Sequence, residues 1–331
     1  MKAKFKILIL LVSLFAQIAF GQFENYGFRR EIGGVTSASE AWHKIVLPDE
    51  TFGKVAMDFS DVKIIGVKEN NETVEVPFFI RQQAAGEPEK EIKFQIINRT
   101  QKSDGFYFTF ELPRDTPINQ IELEFGNPNF DWKARLEGSQ NQIEWFTVID
   151  DYRILSINND LTDYAFTTLN FPNAKFRYFR LFIPTADNPD LISAKITERQ
   201  KVEMFYKPYH TKSFAVRDNK NLKQTVIDVE LPTFVPVSFV KINVRDTFDF
   251  YRPLHIKYPV KNPANPQDAR QILNLASSNT LSSLKTNEFR FNEVRTDRLQ
   301  IIIENRDNQP LTVDSIEVKG KPYELIARFT P

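Results

Sequence analysis

Two aromatic and acidic loops carry the strongest suggestion of chemistry in this sequence. Asn127-Pro-Asn-Phe-Asp-Trp132 and Asp246-Thr-Phe-Asp-Phe-Tyr-Arg252 each follow an alternating segment and open a turn. An aromatic face beside amide and carboxylate groups is what a saccharide site needs, because ring faces cover sugar CH groups while polar groups fix the hydroxyls. The candidate ligand-binding residues are therefore Asn129, Phe130, Asp131 and Trp132 in the first loop and Phe248, Asp249, Phe250 and Arg252 in the second. A plainer reading competes. The aromatics plug a β core and the aspartates cap their own turns. The recurrence of the motif favours this reading, since two copies of one fold must solve the same packing problem.

Other chemistry finds less support. The three histidines, His43, His210 and His255, are far apart, and none has a second histidine or a carboxylate at metal-ligand spacing. His43 reads as a structural strand residue. No phosphate-binding glycine loop and no nucleophile elbow occur. Acidic pairs such as Asp150-Asp151 sit beside turns. The sequence therefore predicts a protein that is not an enzyme, with no catalytic residues and no cofactor. A structural calcium ion is the one metal to consider, with oxygens from Asn158, Asn159, Asp160 and Asp163, or from Asp187, Asn188 and Asp190. The same residues are ordinary turn formers.

The elements that must position these loops are strands. The 331 residues include 30 Phe, 10 Tyr and 3 Trp against 11 Gly, and 19 Pro punctuate the chain. Aromatic residues suit a pleated, half-buried surface, and frequent Pro suits short strands between turns. Few glycines argue against nucleotide-binding and (β/α)8 folds, which spend them on phosphate loops and helix ends. There is no Cys, so disulfides, thiolate metal sites and a lipid-modified N-terminal cysteine are ruled out.

A repeat organises the chain. Phe110-Glu-Leu-Pro113 followed by Pro117-Ile-Asn-Gln-Ile-Glu-Leu-Glu-Phe125 returns as Val229-Glu-Leu-Pro232 followed by Pro236-Val-Ser-Phe-Val-Lys-Ile-Asn-Val244. Ile121, Leu123 and Phe125 line one face in the first copy, and Val240, Ile242 and Val244 in the second. Later strands match too, Phe179 to Ile183 with Leu299 to Ile303. A period of about 120 residues is a whole domain rather than a solenoid unit. The repeat also resolves Gln271 to Leu275, which locally resembles a helix, as a strand, because its counterpart is Glu144 to Ile149.

At the N-terminus, Lys2, Lys4 and Lys6 precede an apolar run from Ile7 to Ile18, and Ala19-Phe20-Gly21 offers a small-residue cleavage site. This reads as a secretory signal peptide over 1–21. No later run is long enough to span a membrane. With 43 basic and 43 acidic residues, loss of three Lys leaves a net charge of −3. That balance offers no footprint for nucleic acid or an anionic membrane. The expected domains are a small N-terminal β unit over 22–87, a first sandwich over 88–205 and a second over 206–331. The expected linker is the Ala-, Gly- and Glu-rich stretch from Gln82 to Glu91.

Ala134-Arg-Leu-Glu-Gly-Ser139 with Glu144-Trp-Phe-Thr-Val-Ile149, then Phe176-Arg-Tyr-Phe-Arg-Leu-Phe-Ile183 and Ile192-Ser-Ala-Lys-Ile196, resembles the core strands of galactose-binding-like domains of the discoidin (coagulation-factor type C) kind. The resemblance implies an all-β fold of tandem antiparallel jelly-roll sandwiches, and it reaches the second copy through the repeat. Trp42 to Pro48, Asp58 to Ile64, Glu75-Val-Pro-Phe78 and Phe248 to Arg252 further resemble a bacterial family of exported proteins, domain-of-unknown-function family three-nine-nine-nine. That resemblance implies a periplasmic or cell-surface location, with membrane association through a C-terminal segment in many members. In such a chain Asn71-Glu-Thr73 and Asn98-Arg-Thr100 match the N-glycosylation pattern only incidentally. The sequence points to an envelope protein that binds a glycan or a protein partner. A purely structural assembly subunit is the alternative, and a glycan-processing enzyme is a weaker third reading.

Overall fold

A computed structural model describes residues 26–33, 42–68, 70, 72–82, 90–113, 116–160, 162–198, 205–261 and 271–329. The expected signal peptide over 1–21 lies outside the described residues, as do residues 83–89 of the expected linker from Gln82 to Glu91, whose two ends are strand residues. Among the described residues the fold is all-β, as the composition predicts, with every strand pair antiparallel.

The N-terminal strands are β1 (Trp42–Val46), β2 (Ile64–Val67), β3 (Thr73–Val76) and β4 (Phe78–Gln82). The first sandwich follows, with β5 (Lys90–Glu91), β6 (Gln95–Lys102), β7 (Gly105–Glu111), β8 (Ile118–Phe125) and β9 (Phe130–Ser139). It continues with β10 (Phe146–Asn159), β11 (Thr162–Phe166), β12 (Thr168–Ala174), β13 (Tyr178–Ile183) and β14 (Leu191–Glu198). One sheet runs β11-β10-β9-β13-β7-β6 and the facing sheet β12-β8-β14-β5. Period-2 alternation turns Phe108, Phe110, Leu136, Phe179 and Leu181 from the first sheet against Ile121, Leu123, Leu169 and Ile196 from the second. Gly138 makes room for the Phe176 ring, since a Cβ there would lie 2.1 Å from it.

The second sandwich comprises β15 (Lys207–Tyr209), β16 (Ser213–Asn219), β17 (Gln224–Val244), β18 (Tyr251–Lys261), β19 (Gln271–Ser282), β20 (Glu288–Glu304) and β21 (Val313–Gly320). Its strands run in the order of the first copy. The first half of β17 pairs with β16 and with the end of β20, as β7 pairs with β6 and β13. The second half of β17 pairs with β21 and with the start of β20, as β8 pairs with β14 and β12. The copies differ at the crossings. Between β7 and β8 the ladder stops, whereas β17 runs through, its register breaking between Glu230 and Val235 as it passes from one layer to the other. The stretch with helical character, 271–275, is the start of strand β19.

The final strand departs from expectation. Tyr323–Arg328 (β22), assigned from sequence to the second sandwich, is instead the central strand of the N-terminal sheet, in the order β1-β22-β4. It pairs with β1 from Trp42↔Arg328 to Val46↔Glu324 and with β4 from Phe78↔Ala327 to Gln82↔Tyr323. Leu325 and Ala327 then fill the small core with Leu47, Phe52, Phe59 and Ile64. The physical reason is two-sided burial. Glu324, Leu325, Ile326 and Ala327 are all buried, which suits a central strand and not an edge. Glu324 keeps its charge by accepting from Arg81 Nη2 and pairing with Lys44 Nζ, both at 2.7 Å.

The N-terminal unit rests on the second sandwich. Lys207 Nζ reaches Asp49 at 2.6 Å. Arg295 donates to the Ala56 and Met57 carbonyls at 3.0 Å and stacks over the Phe59 ring.

Candidate functional site

The two repeated motifs come together in space, through their aspartates. On β9, residues alternate between the core and the outer face. Asp131 is on the outer face, and Phe130 and Trp132 are on the core side, packed against the first core. Arg153 on β10, two rungs along the ladder from Asp131's partner Leu155, lies on the same outer face. Its guanidinium donates through Nε to Asp131 Oδ1 at 2.9 Å and through Nη2 to Asp131 Oδ2 at 2.7 Å. The third arm, Nη1, reaches Asp249 Oδ2 in the second sandwich at 2.6 Å. The fork geometry of arginine suits this two-carboxylate grip. The hydrogen bonds hold the Asp131 carboxyl below the usual carboxylate range and raise the Arg153 pKa.

The other motif residues divide by burial. Asn129 caps the turn, accepting from the Asn158 amide at 2.8 Å and donating to its carbonyl at 3.1 Å. Phe130 and Trp132 stack face to face at 3.9 Å, with Phe125 edge-on to both. Trp132 therefore spends one ring face on Phe130. Phe250 is buried in the second core, while Phe248 remains exposed. Arg252 is on the core-facing side of β18 with Leu254 and Ile256. Its Nη1 donates to the Tyr251 carbonyl, its Nε is buried without a partner, and burial lowers its pKa. The Tyr251 hydroxyl beside the Arg153 cluster is likewise buried and unpartnered, and burial raises its pKa.

Phe130 also borders a groove of about 440 Å³ on the open side of the first sandwich. Here the chain crosses from β11 to β12, and the Leu123 amide donates to the Thr167 carbonyl. Phe125, Pro128 and Phe130 supply the apolar part of the wall. Glu122 and Glu124, two apart on β8, share one face, and Ser193 and Lys195 on β14 stand beside them in register. Ser193 Oγ donates to Glu124 at 2.6 Å. The groove thus combines aromatic carbon with carboxylate, ammonium and hydroxyl groups on rigid strands. Sequence reasoning found Phe130 and missed the polar wall, although its signal is present in the exposed positions of alternating strands β8 and β14.

A second cleft of about 330 Å³ lies between the sandwiches, walled by Asp163 to Ala165 on one side and by Asn279, Thr280 and Lys285 to Phe289 on the other. Tyr164 bridges it, donating to Ser282 Oγ at 3.0 Å, and its ring packs on Tyr251. Lys285 Nζ stands over the Tyr164 and Phe166 rings, and the protein around it lowers its pKa.

The loops considered for calcium are held by hydrogen bonds of their own. Asn159 Oδ1 caps the Thr162 amide, Asn188 Oδ1 caps the Asp190 amide, and Asn158 spends its amide on Asp163. No group of three or more acidic or histidine side chains suited to a metal occurs among the described residues. The histidines remain apart. His43 packs on Phe329, and His255 Nδ1 is 2.9 Å from Ser278 Oγ. Among the described residues no helix is long and apolar enough to cross a membrane.

No protein family matches the chain by sequence, and no curated protein does. Among solved structures, the chain is similar to the CBM32-1 and CBM32-2 domains of ZmpB from Clostridium perfringens. The match has 9% identity and a TM-score of 0.27, over 68% of this chain and 84% of that one. It is also similar to a fucolectin from striped bass (Morone saxatilis) serum, at 13% identity and a TM-score of 0.25 over 67% and 84%. Truncated AlyQ with CBM32 and alginate lyase domains gives 10% identity and a TM-score of 0.26 over 73% and 98%.

Proposed function

We propose that this chain is an exported, non-catalytic binding protein of the cell envelope whose first sandwich holds a saccharide in the Phe125–Phe130 groove. One observation carries the reading. A groove of about 440 Å³, within the size range of small-ligand sites, joins two phenylalanines to two carboxylates, an ammonium and a hydroxyl held on adjacent strands. A pyranose ring presents an apolar face and several hydroxyls that both donate and accept, and this wall complements both. The sequence resemblance to galactose-binding-like domains and the signal-like N-terminus support the class and the location.

The test is a glycan array with residues 22–331, followed by calorimetry on any hit. Glu124→Gln and Lys195→Ala leave the core untouched. Each should weaken binding at least tenfold, the loss of about 1.4 kcal/mol, without moving the thermal midpoint. A blank array from folded protein, or a hit indifferent to both substitutions, would sink the proposal. The scaffold reading has its own support in the bonds that tie the three units together, Arg153–Asp249, Lys207–Asp49 and Arg295 to the Ala56 and Met57 carbonyls. Under that reading, envelope proteins rather than sugars would be recovered with the purified chain.

A further inference from the structure

The edges of the sheets are not treated alike. Most described edge strands longer than four residues carry a charge or a proline, the usual guards against strand addition. Lys44 stands in β1, Arg81 in β4, Arg99 in β6, Asp163 in β11, Pro172 in β12 and Arg217 in β16. The exception is β19, which is also the longest. Its 12 residues, Gln-Ile-Leu-Asn-Leu-Ala-Ser-Ser-Asn-Thr-Leu-Ser, contain no charge, no proline and no glycine, in a chain that is 26% charged.

The start of β19 also stands clear of the sheet. β18 pairs with β20 only from Leu254 to Lys257, yet it pairs with β19 as far as Lys261. Residues 258–261 and 271–274 therefore form a two-stranded ribbon, and the ladder shifts register once at Ala276, just beyond it. Its β18 edge contains Pro259, which lacks a backbone donor. Opposite Pro259 is Leu273 on the unguarded β19 edge. Both faces of that edge are apolar and open, with Ile272, Leu273 and Leu275 exposed by 43%, 41% and 57%. The far end of β19 is already occupied, because Ser282 accepts from Tyr164.

We propose that the β19 edge from Ile272 to Ala276 pairs antiparallel with the same edge of a second copy of this chain, giving a two-fold dimer. An open row of backbone donors and acceptors calls for an extended strand. A two-fold axis sets each β19 against its own image, and an uncharged strand meets no like charge there. Ile272, Leu273 and Leu275 of each copy then cover those of the other. The charged edges oppose lysine, arginine or aspartate to their own images under the same operation, and β12 has Pro172 in place of a charge. An interface this short lies below the size of permanent dimers, so the dimer is weak and concentration-dependent.

The experiment is sedimentation equilibrium on residues 22–331 from about 10 to about 500 µM, a range suited to a small interface. The wild-type chain should show a monomer–dimer equilibrium. Leu275→Lys sets lysines near the axis and should raise the dissociation constant roughly tenfold or more. Leu273→Pro, opposite Pro259 in the ladder, removes a backbone donor that faces the open edge and serves as a second, charge-independent variant. Circular dichroism and the thermal midpoint check that both variants fold. The chain has no cysteine, so single Cys substitutions at Ile272, Asn274 and Ala276 report pairing directly. The one nearest the axis should give a disulfide-linked dimer under mild oxidation. A chain that stays monomeric throughout overturns the proposal. So does a dimer that ignores both variants, or a monomer that instead takes up an unrelated strand peptide at β19.

Discussion

Replacing Arg153 with alanine asks how firmly the repeated aspartates join the two sandwiches. The side chains are partly open, 32% for Arg153, 55% for Asp131 and 51% for Asp249, so neither pair has interior strength. Exposed pairs contribute about 0.2–1 kcal/mol each, and the two-pronged contact with Asp131 belongs near the top of that range. Arg153→Ala should therefore cost about 1–2 kcal/mol in urea unfolding. Only the Asp249 arm crosses between sandwiches. A double-mutant cycle of Arg153→Ala with Asp249→Ala should return a coupling of about 0.5–1 kcal/mol, falling in about 1 M salt, where screening acts within about 3 Å. The Asp131 arm has a pH signature. Its carboxyl is depressed in the folded state, so its contribution is fully present above the unfolded value of about 3.9 and is lost as pH falls through the lower folded value. The Arg153–Asp131 coupling should hold from neutrality to about pH 5 and fade below about pH 4. Additivity of Arg153→Ala and Asp249→Ala within about 0.3 kcal/mol would refute the clamp.

Two further substitutions test the packing. Tyr251→Phe removes a buried hydroxyl that has no partner, and should leave stability unchanged or raise it by up to about 1 kcal/mol. A clear loss in thermal or urea unfolding would mean that the hydroxyl has a partner in solution. Gly320→Ala builds a Cβ 1.7 Å from the Pro236 carbonyl oxygen and 2.7 Å from the Tyr209 hydroxyl. It must part β21 from β17 and break the Tyr209–Pro236 hydrogen bond of 3.1 Å, a cost of about 2–4 kcal/mol. A loss under about 1 kcal/mol would show that the ladder yields more easily than its geometry suggests.

Much of the fold was legible because burial on one face leaves a period of two. Ile121 and Leu123 in one copy, with Val240 and Ile242 in the other, are buried as their alternation requires. Comparing copies decided 271–275, where local propensity pointed to a helix. The candidate site was half legible. Phe130 and Trp132 obey the strand period and so face the core, which is the plainer reading of the motif. Arg153 was invisible, since nothing near it in sequence announces two aspartates, one of them 96 residues away. The groove's polar wall comes from β8 and β14, whose exposed residues look like any solvated face until pairing sets them side by side. The placement of β22 was missed because its partners lie at the other end of the chain, and short-range patterning carries no information about who pairs with whom.

The position of β22 has a consequence for the order of assembly. β1 and β4 share no hydrogen-bonded ladder with one another, since β22 separates them. As this chain is synthesised, β1 and β4 emerge before β22, with open edges, and must wait while both sandwiches form. Of the three units described, the N-terminal one is the last completed. Until then Ile45, Phe78 and Ile80, which later pack on the small core, are free to be held by a chaperone or cut by a protease. The folded N-terminal sheet thus certifies that translation has reached β22, and a chain broken off earlier would carry that unit as an unstructured tag.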